Sequence, residues 1–254
     1  MKTNALIFRQ LFEPVSSTYT YLVGCCETGE AALIDPVMPA WQHDLKVVNE
    51  LGLRLVLTID THIHADHITS ASVLKREAGS RIALPMLEAL ECTDVGLEDG
   101  VPIQLGGVVL HPMHTPGHTD THFALRTDDR VFTGDALLID GCGRTDFQSG
   151  DARAMYHSVR DTLFSLPGET LVYPAHDYQG RWVSSVAQER QRNPRLGGDR
   201  TIEEFEAIMA ALDLPYPKFI DYAVPGNRAC GVCPDGLPEH LDNYCHPMTA
   251  SPQG

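Results

Sequence analysis

Apolar and polar positions alternate in short runs at the start of the chain, at residues 5–8, 18–23 and 31–34, with Pro14, Gly24 and Gly29-Glu30 between them. That pattern predicts a meander of β-strands. Between residues 41 and 51 the period changes. Trp41, Leu45, Val48 and Leu51 recur at spacings of three and four, one face of a helix that Gly52 can end. Residues 54–59 read as a buried strand, which runs directly into Thr61-His62-Ile63-His64-Ala65-Asp66-His67. Ile68, Ala71 and Leu74 then share a helical face, with Asp66 placed as N-cap and Gly79 near the end. Strands are expected at 82–84, 108–111, 122–125, 131–133 and 170–173, and helices at 152–164, 181–192 and 201–212; from Leu214 onward the Pro/Gly-rich chain reads as irregular. Strands, helix, strands, helices in that order predict an α+β architecture of two packed sheets with helices outside. The expected organisation is a single domain over residues 1–240, including C-terminal helices and an extension, and an irregular tail over 241–254.

Charge narrows the range of partners. The 254 residues carry 34 Asp and Glu against 19 Lys and Arg, a formal net charge of −15. Nucleic acid and anionic membranes both demand a basic surface, so neither is an expected partner. Apolar runs such as Ala136-Leu137-Leu138-Ile139 fall far short of the ~20 residues that a bilayer span needs. Residues 1–10 lack the pattern of a secretory or organellar leader, and the expected location is cytoplasmic. The seven cysteines (Cys25, Cys26, Cys92, Cys142, Cys230, Cys233 and Cys245) are odd in number and irregularly spaced, which makes reduced thiols the expectation. Cys230 and Cys233 form a CxxC that, with Cys245 and His246, offers a zinc or redox alternative, although buried inert cysteine is the plainer reading of Cys230.

Twelve histidines require a chemical explanation. His62-x-His64-x-Asp66-His67 gathers four nitrogen and oxygen donors within six residues. Positions two apart do not share a helix face, but in a loop leaving a strand they can meet one ion. Three further pieces present donors at turns or strand ends: Thr115-Pro116-Gly117-His118-Thr119, Phe132-Thr133-Gly134-Asp135 and Tyr173-Pro174-Ala175-His176-Asp177. In the second, Gly134 leaves room for close approach. His111, His114 and His122 read as structural or exposed, and His43, His157, His240 and His246 have no constellation around them. Met86, Met113 and Met155 read as core filler.

THxHxDH, PGHT, GD and a late His, in that order, resemble the metallo-β-lactamase superfamily. Within it, the run from Asp135 to Gln148, with its Gly141-Cys142-Gly143-Arg144-Thr145-Asp146-Phe147 block, resembles the persulfide dioxygenases. So do Phe8-Arg9-Gln10-Leu11-Phe12-Glu13-Pro14, Tyr173 to Tyr178, Asn193-Pro194-Arg195 and Ala223-Val224-Pro225. The resemblance implies an αββα sandwich of two mixed sheets flanked by helices. It implies one iron(II) per chain held by His62, His118 and Asp135, a triad on one face that leaves the other open to substrate and O2. It also implies oxidation of glutathione persulfide with O2 and water to sulfite and glutathione, in a chain for which a homodimer fits. His64, Asp66, His67 and His176 would then lie just outside the metal shell. The same four residues complete a second metal site in the di-metal hydrolases of the superfamily, glyoxalase II among them, if Asp135 bridges two ions. A non-catalytic metal or redox-sensing module built on Cys230 and Cys233 is a third alternative. Arg144, Tyr178 and Arg228 are the candidates for contact with the carboxylates of the substrate.

Overall fold

The structure is a computed structural model that describes residues 6–246. Strands β1 (Leu6–Glu13), β2 (Thr18–Cys25) and β3 (Glu30–Ile34) form the expected antiparallel meander, and β4 (Arg54–Ile59), β5 (Arg81–Pro85) and β6 (Val95–Leu97) extend the sheet in parallel. Parallel neighbours need crossovers, and α1 (Trp41–Glu50) and α2 (Ala71–Ala78) provide the first two. The second sheet also has six strands. Strands β7 (Ile103–Leu105), β8 (Val108–His114), β9 (Phe123–Thr127) and β10 (Arg130–Gly134) run antiparallel; β11 (Leu171–Pro174) pairs parallel to β10, and β12 (Ser184–Ser185) closes the edge. Helices α3 (Ala152–His157), α4 (Val186–Arg192) and α5 (Ile202–Ala210) cover this sheet.

Alternation along the strands builds three apolar layers. Tyr21, Val23, Ile34, Leu57 and Ile59 of one sheet meet Leu110, Phe123, Leu125 and Phe132 of the other in a shared core. Leu22, Leu33 and Leu55 face outward onto Val48 and Leu74 of α1 and α2. Leu55 and Leu57 have the same parity yet reach opposite layers, because the pairing register shifts between Ala31 and Ala32, which partner Leu55 and Leu57. A bulge of this kind re-aims the strand end from which His62 emerges.

Several elements depart from the sequence expectations. Asp66 does not cap α2. That helix starts at Ala71, and the Asp66 carboxylate instead accepts from Thr18 and His67. The helix expected at 181–192 begins only at Val186, capped by Ser185, and Arg181 is drawn away into a clamp described below. Between Leu214 and His246 the chain forms two elements: α6 (Ile220–Arg228), which contains Pro225, and a 3-10 turn over Glu239–Tyr244. Phe219, Ala223, Leu241 and Tyr244 hold this segment by packing on Met38 and Ile68. The expected irregular tail is therefore packed as far as Cys245, and residues 247–254 lie outside the described ones. Met155 is core, whereas Met86 is 50% exposed, in a 3-10 turn at the sheet edge.

The cysteines are corrected as well. Cys92–Cys230 and Cys233–Cys245 are disulfides, and among the described residues Cys25, Cys26 and Cys142 are free thiols. Neither the zinc reading nor the CxxC pair survives, because Cys230 and Cys233 each bond elsewhere. Cys92 and Cys230 are 138 residues apart, a closure that restricts the unfolded chain by about 5 kcal/mol in the chain-entropy description. Cys92→Ser is expected to lower the stability of the oxidised protein by at most that amount, read from denaturant midpoints with and without reductant. Equal midpoints for the two proteins under oxidising conditions would mean that the bond does not form.

Candidate metal centre

The histidine and aspartate positions singled out in the sequence all sit at one rim of the sandwich. His62 follows β4, His118 follows β8, Asp135 follows β10 and His176 follows β11. Backbone bonds between the sheets lock the rim, with Phe123 N donating to Thr61 O (2.9 Å) and Tyr19 N to Ala175 O (2.8 Å). Donor atoms of His62, His118 and Asp135 all lie within 4.8 Å of one another, and His118 Nε2 is 3.3 Å from Asp135 Oδ2. Gly134 has φ +50, and a Cβ there would collide with the His122 ring and approach Thr61 Oγ1 to 3.0 Å. The close approach expected of this glycine is therefore real.

Hydrogen bonding fixes the ring nitrogens. The single hydroxyl proton of Thr61 goes to Asp35 Oδ2 (3.1 Å), so His62 Nδ1, 3.0 Å from Thr61 Oγ1, is the donor and its Nε2 carries the lone pair. His118 Nδ1 donates to the Arg144 carbonyl (2.8 Å), which likewise frees its Nε2. His62 Nε2 and Asp135 Oδ1 are buried without a hydrogen-bond partner. Orphaned buried acceptors are costly, and a cluster of them facing one point fits a cation. Burial among other imidazoles pushes His62 well below its ordinary pKa, so it stays uncharged, as a ligand must.

His122, expected to be structural, proves to hold the aspartate. Its Nε2 accepts the Asp135 backbone N–H (3.1 Å), and burial lowers it to about 3, so that nitrogen remains an acceptor. Asp35 was not singled out from the sequence. It accepts from Thr61 N (2.8 Å), and its Oδ1 lies 3.1 Å from His64 Nε2. Burial alone would depress His64, but Asp35 and Asp60 outweigh it and raise His64 to about 9. Asp60, buried beside them, rises to about 7. His64 is thus tied on one side to a carboxylate pair, and only its Nδ1 is bare.

Asp66, His67 and His176 form a neighbouring group. Asp66 Oδ2 accepts from Thr18 (3.0 Å) and His67 Nδ1 (2.9 Å) and faces His176 Nε2 at 3.5 Å. His176 Nδ1 donates to the Ser17 carbonyl (2.9 Å), and its Nε2 is 3.6 Å from Asp135 Oδ1.

The centre opens on a cavity of about 800 Å³. Arg144 and Tyr178 both line it, as does Lys218, which the sequence did not single out. Arg144 is bound to Asp146 through Nε (2.6 Å) and Nη2 (2.7 Å), and to the Pro215 carbonyl through Nη1 (2.8 Å), so the salt bridge with Asp146 holds its guanidinium. Two of its five N–H groups are left for a ligand. Tyr178 is 75% exposed, with its ring stacked beside that of His176. Arg228 is placed differently: it faces Glu88 at 3.6 Å and does not line the cavity. Another cation in the wall, Arg181, is clamped by Asp177 (Nη2, 2.7 Å) and Asp140. Among the described residues, no helix is long and apolar enough to cross a membrane.

Two mixed sheets between helical layers, with His and Asp donors at the strand ends of one rim, define the metallo-β-lactamase class of protein. The pattern of the metallo-beta-lactamase superfamily matches residues 14–176. The chain is 49% identical over 230 residues to the persulfide dioxygenase ETHE1, mitochondrial, of Homo sapiens and equally to that of Bos taurus, covering 89% of this chain and of each relative. The crystal structure of ETHE1 from Myxococcus xanthus superposes with a TM-score of 0.86 at 50% identity, over 89% of this chain and 99% of that one. The chain belongs to the persulfide dioxygenase family of this superfamily.

Proposed function

We propose that the protein is a mononuclear iron(II) dioxygenase that converts glutathione persulfide, O2 and water to sulfite and glutathione. The observation that carries this reading is the meeting of three donors, His62 Nε2, His118 Nε2 and Asp135, with His118 and Asp135 lining an open cavity, His62 behind them, and two buried acceptor atoms unpartnered. Relatives named as persulfide dioxygenases, matched over nearly their whole length, supply the reaction class. Iron(II) held there would supply the electrons that O2 activation requires, which no side chain can. The protein's own contribution is geometry and charge. Thr61 and the Arg144 carbonyl set the two imidazoles so that no proton has to be displaced from the donor nitrogens. The cavity has the volume to admit a tripeptide thiol.

Arg144 is proposed to offer its remaining N–H groups to a substrate carboxylate, and Tyr178 its hydroxyl. Arg144→Ala is expected to raise KM about tenfold, ~1.4 kcal/mol for one charge-assisted hydrogen bond, with kcat little changed. An unaltered KM would remove Arg144 from substrate binding. The cytoplasmic location and a homodimer belong to the same proposal, and cell fractionation and sedimentation check them. The reaction itself is tested by metal analysis together with an oxygen electrode. One iron per chain and one O2 consumed per sulfite formed are expected. Two metal ions per chain, with thioester cleavage and no O2 uptake, would overturn it in favour of a hydrolase.

A further inference from the structure

We infer that Asn227 is a positioning residue for the segment carrying the histidine cluster, holding residues 62–69 from the C-terminal side of the fold. The inference rests on the reading of His62, His118 and Asp135 as the metal ligands. Asn227 lies on α6, about 160 residues from the cluster in sequence, and is 3% exposed. Its Nδ2 donates to the carbonyls of His64 (2.9 Å) and His67 (2.8 Å), and its Oδ1 accepts the Thr69 backbone N–H (2.9 Å). Residues 62–67 belong to no helix or strand, so these buried backbone groups find in one amide the partners that regular structure would otherwise give them. The amide's orientation is set by chemistry, because only the nitrogen can face two carbonyls.

Asn227 is itself firmly seated. A Cβ on the preceding Gly226 would collide with Ile68 Cδ1 at 2.6 Å and the Val232 carbonyl at 2.8 Å, so helix and loop pack without slack. Three residues further on, Cys230 is bonded to Cys92, and its carbonyl accepts from Ser72 Oγ. Only about 10 Å³ of space, lined by His62 and His64 on one side and Asn227, Cys92 and Cys230 on the other, lies between the donors and this support. At most one water fits there. The direction of the His62 ring therefore depends on where Asn227 holds the carbonyls two and five residues further along.

Cobalt(II) titration of the metal-free protein tests this without reference to turnover. Asn227→Asp keeps the shape and the acceptor but sets a carboxylate oxygen against two carbonyls. Asn227→Ser keeps one donor in case the aspartate variant does not fold. The Asp variant is expected to bind cobalt at least about tenfold more weakly and to shift its visible d–d bands, with the Ser variant between it and wild type. Leu163→Ala, in the core under the other sheet, serves as a variant destabilised elsewhere, expected to keep the wild-type affinity and spectrum. Wild-type affinity and bands in both Asn227 variants would overturn the inference, as would an equal loss in Leu163→Ala. A wild-type protein that binds no cobalt would instead refute the metal centre itself.

Discussion

Asp135→Ala is expected to abolish metal binding and oxygen consumption together. Asp135 is the one anionic member of the convergent triad, and without it a divalent ion faces two neutral imidazoles in a site that is 8% exposed at this residue. The backbone already holds the residue in place: its N–H is bound by His122 and its carbonyl by Gly143 N (2.8 Å). Removing the side chain therefore deletes a ligand and leaves the scaffold standing. A metal Kd at least about 100-fold higher, and turnover below about a thousandth of wild type, follow from losing one of three ligands rather than an outer partner. The metal-free variant should melt no lower than metal-free wild type, because Asp135 Oδ1 is an unpartnered buried acceptor whose removal relieves a cost. Persisting iron binding and full O2 uptake in this variant would refute the ligand assignment.

The legible part of the molecule was the part written in local sequence. The apolar run of residues 54–59 ends where His62 begins, and the glycine and turn residues before His118 and Asp135 mark strand ends whatever the rest of the chain does. All four donor-bearing strand ends do reach one rim. What could not be read depends on partners far away in the chain. Pro225 and Gly226 argue against a helix locally, yet α6 forms because Phe219 and Ala223 are buried against Met38 and Ile68. Cys92 and Cys230 meet only after β5 and α6 have been placed, so their spacing of 138 residues gives no hint of a bond. Asp35 carried a weak signal, an acid directly after the buried β3, but its role in setting Thr61 and His64 appears only when β3 and β4 lie side by side. Arg144 shows the converse. Its place in the glycine-rich block marks it for a substrate carboxylate, yet its neighbour Asp146 takes two of its five N–H groups and the distant Pro215 carbonyl a third.

Gly143→Ala should be nearly as damaging as loss of the ligand, for a steric reason that no electrostatic substitution can mimic. Gly143 sits between the two parts of the chain that present Asp135 and His118. A Cβ at this position would fall on the Asp135 carbonyl oxygen, 3.0 Å from His118 Nδ1 and 3.1 Å from Asp135 Cβ. None of these atoms is the far end of a flexible side chain. His118 Nδ1 is moreover fixed by the Arg144 carbonyl at 2.8 Å, and Gly143 N–H is itself bonded to the oxygen that the methyl would strike. The methyl must therefore push one donor away from the other, breaking the convergence at His118 Nε2 and Asp135 Oδ2. Overpacking of this kind costs about 1–3 kcal/mol of stability, and displaced ligands cost metal affinity about 10–100-fold. Gly141→Ala is the matched comparison. In the same turn, a Cβ there meets only Leu138 Cβ at 3.9 Å, ordinary contact, so its metal affinity should equal that of wild type. Metal titrations and thermal melts of the two alanine variants separate the effects, and a Gly143→Ala protein that binds metal as Gly141→Ala does would show that the two ligands can move apart without loss.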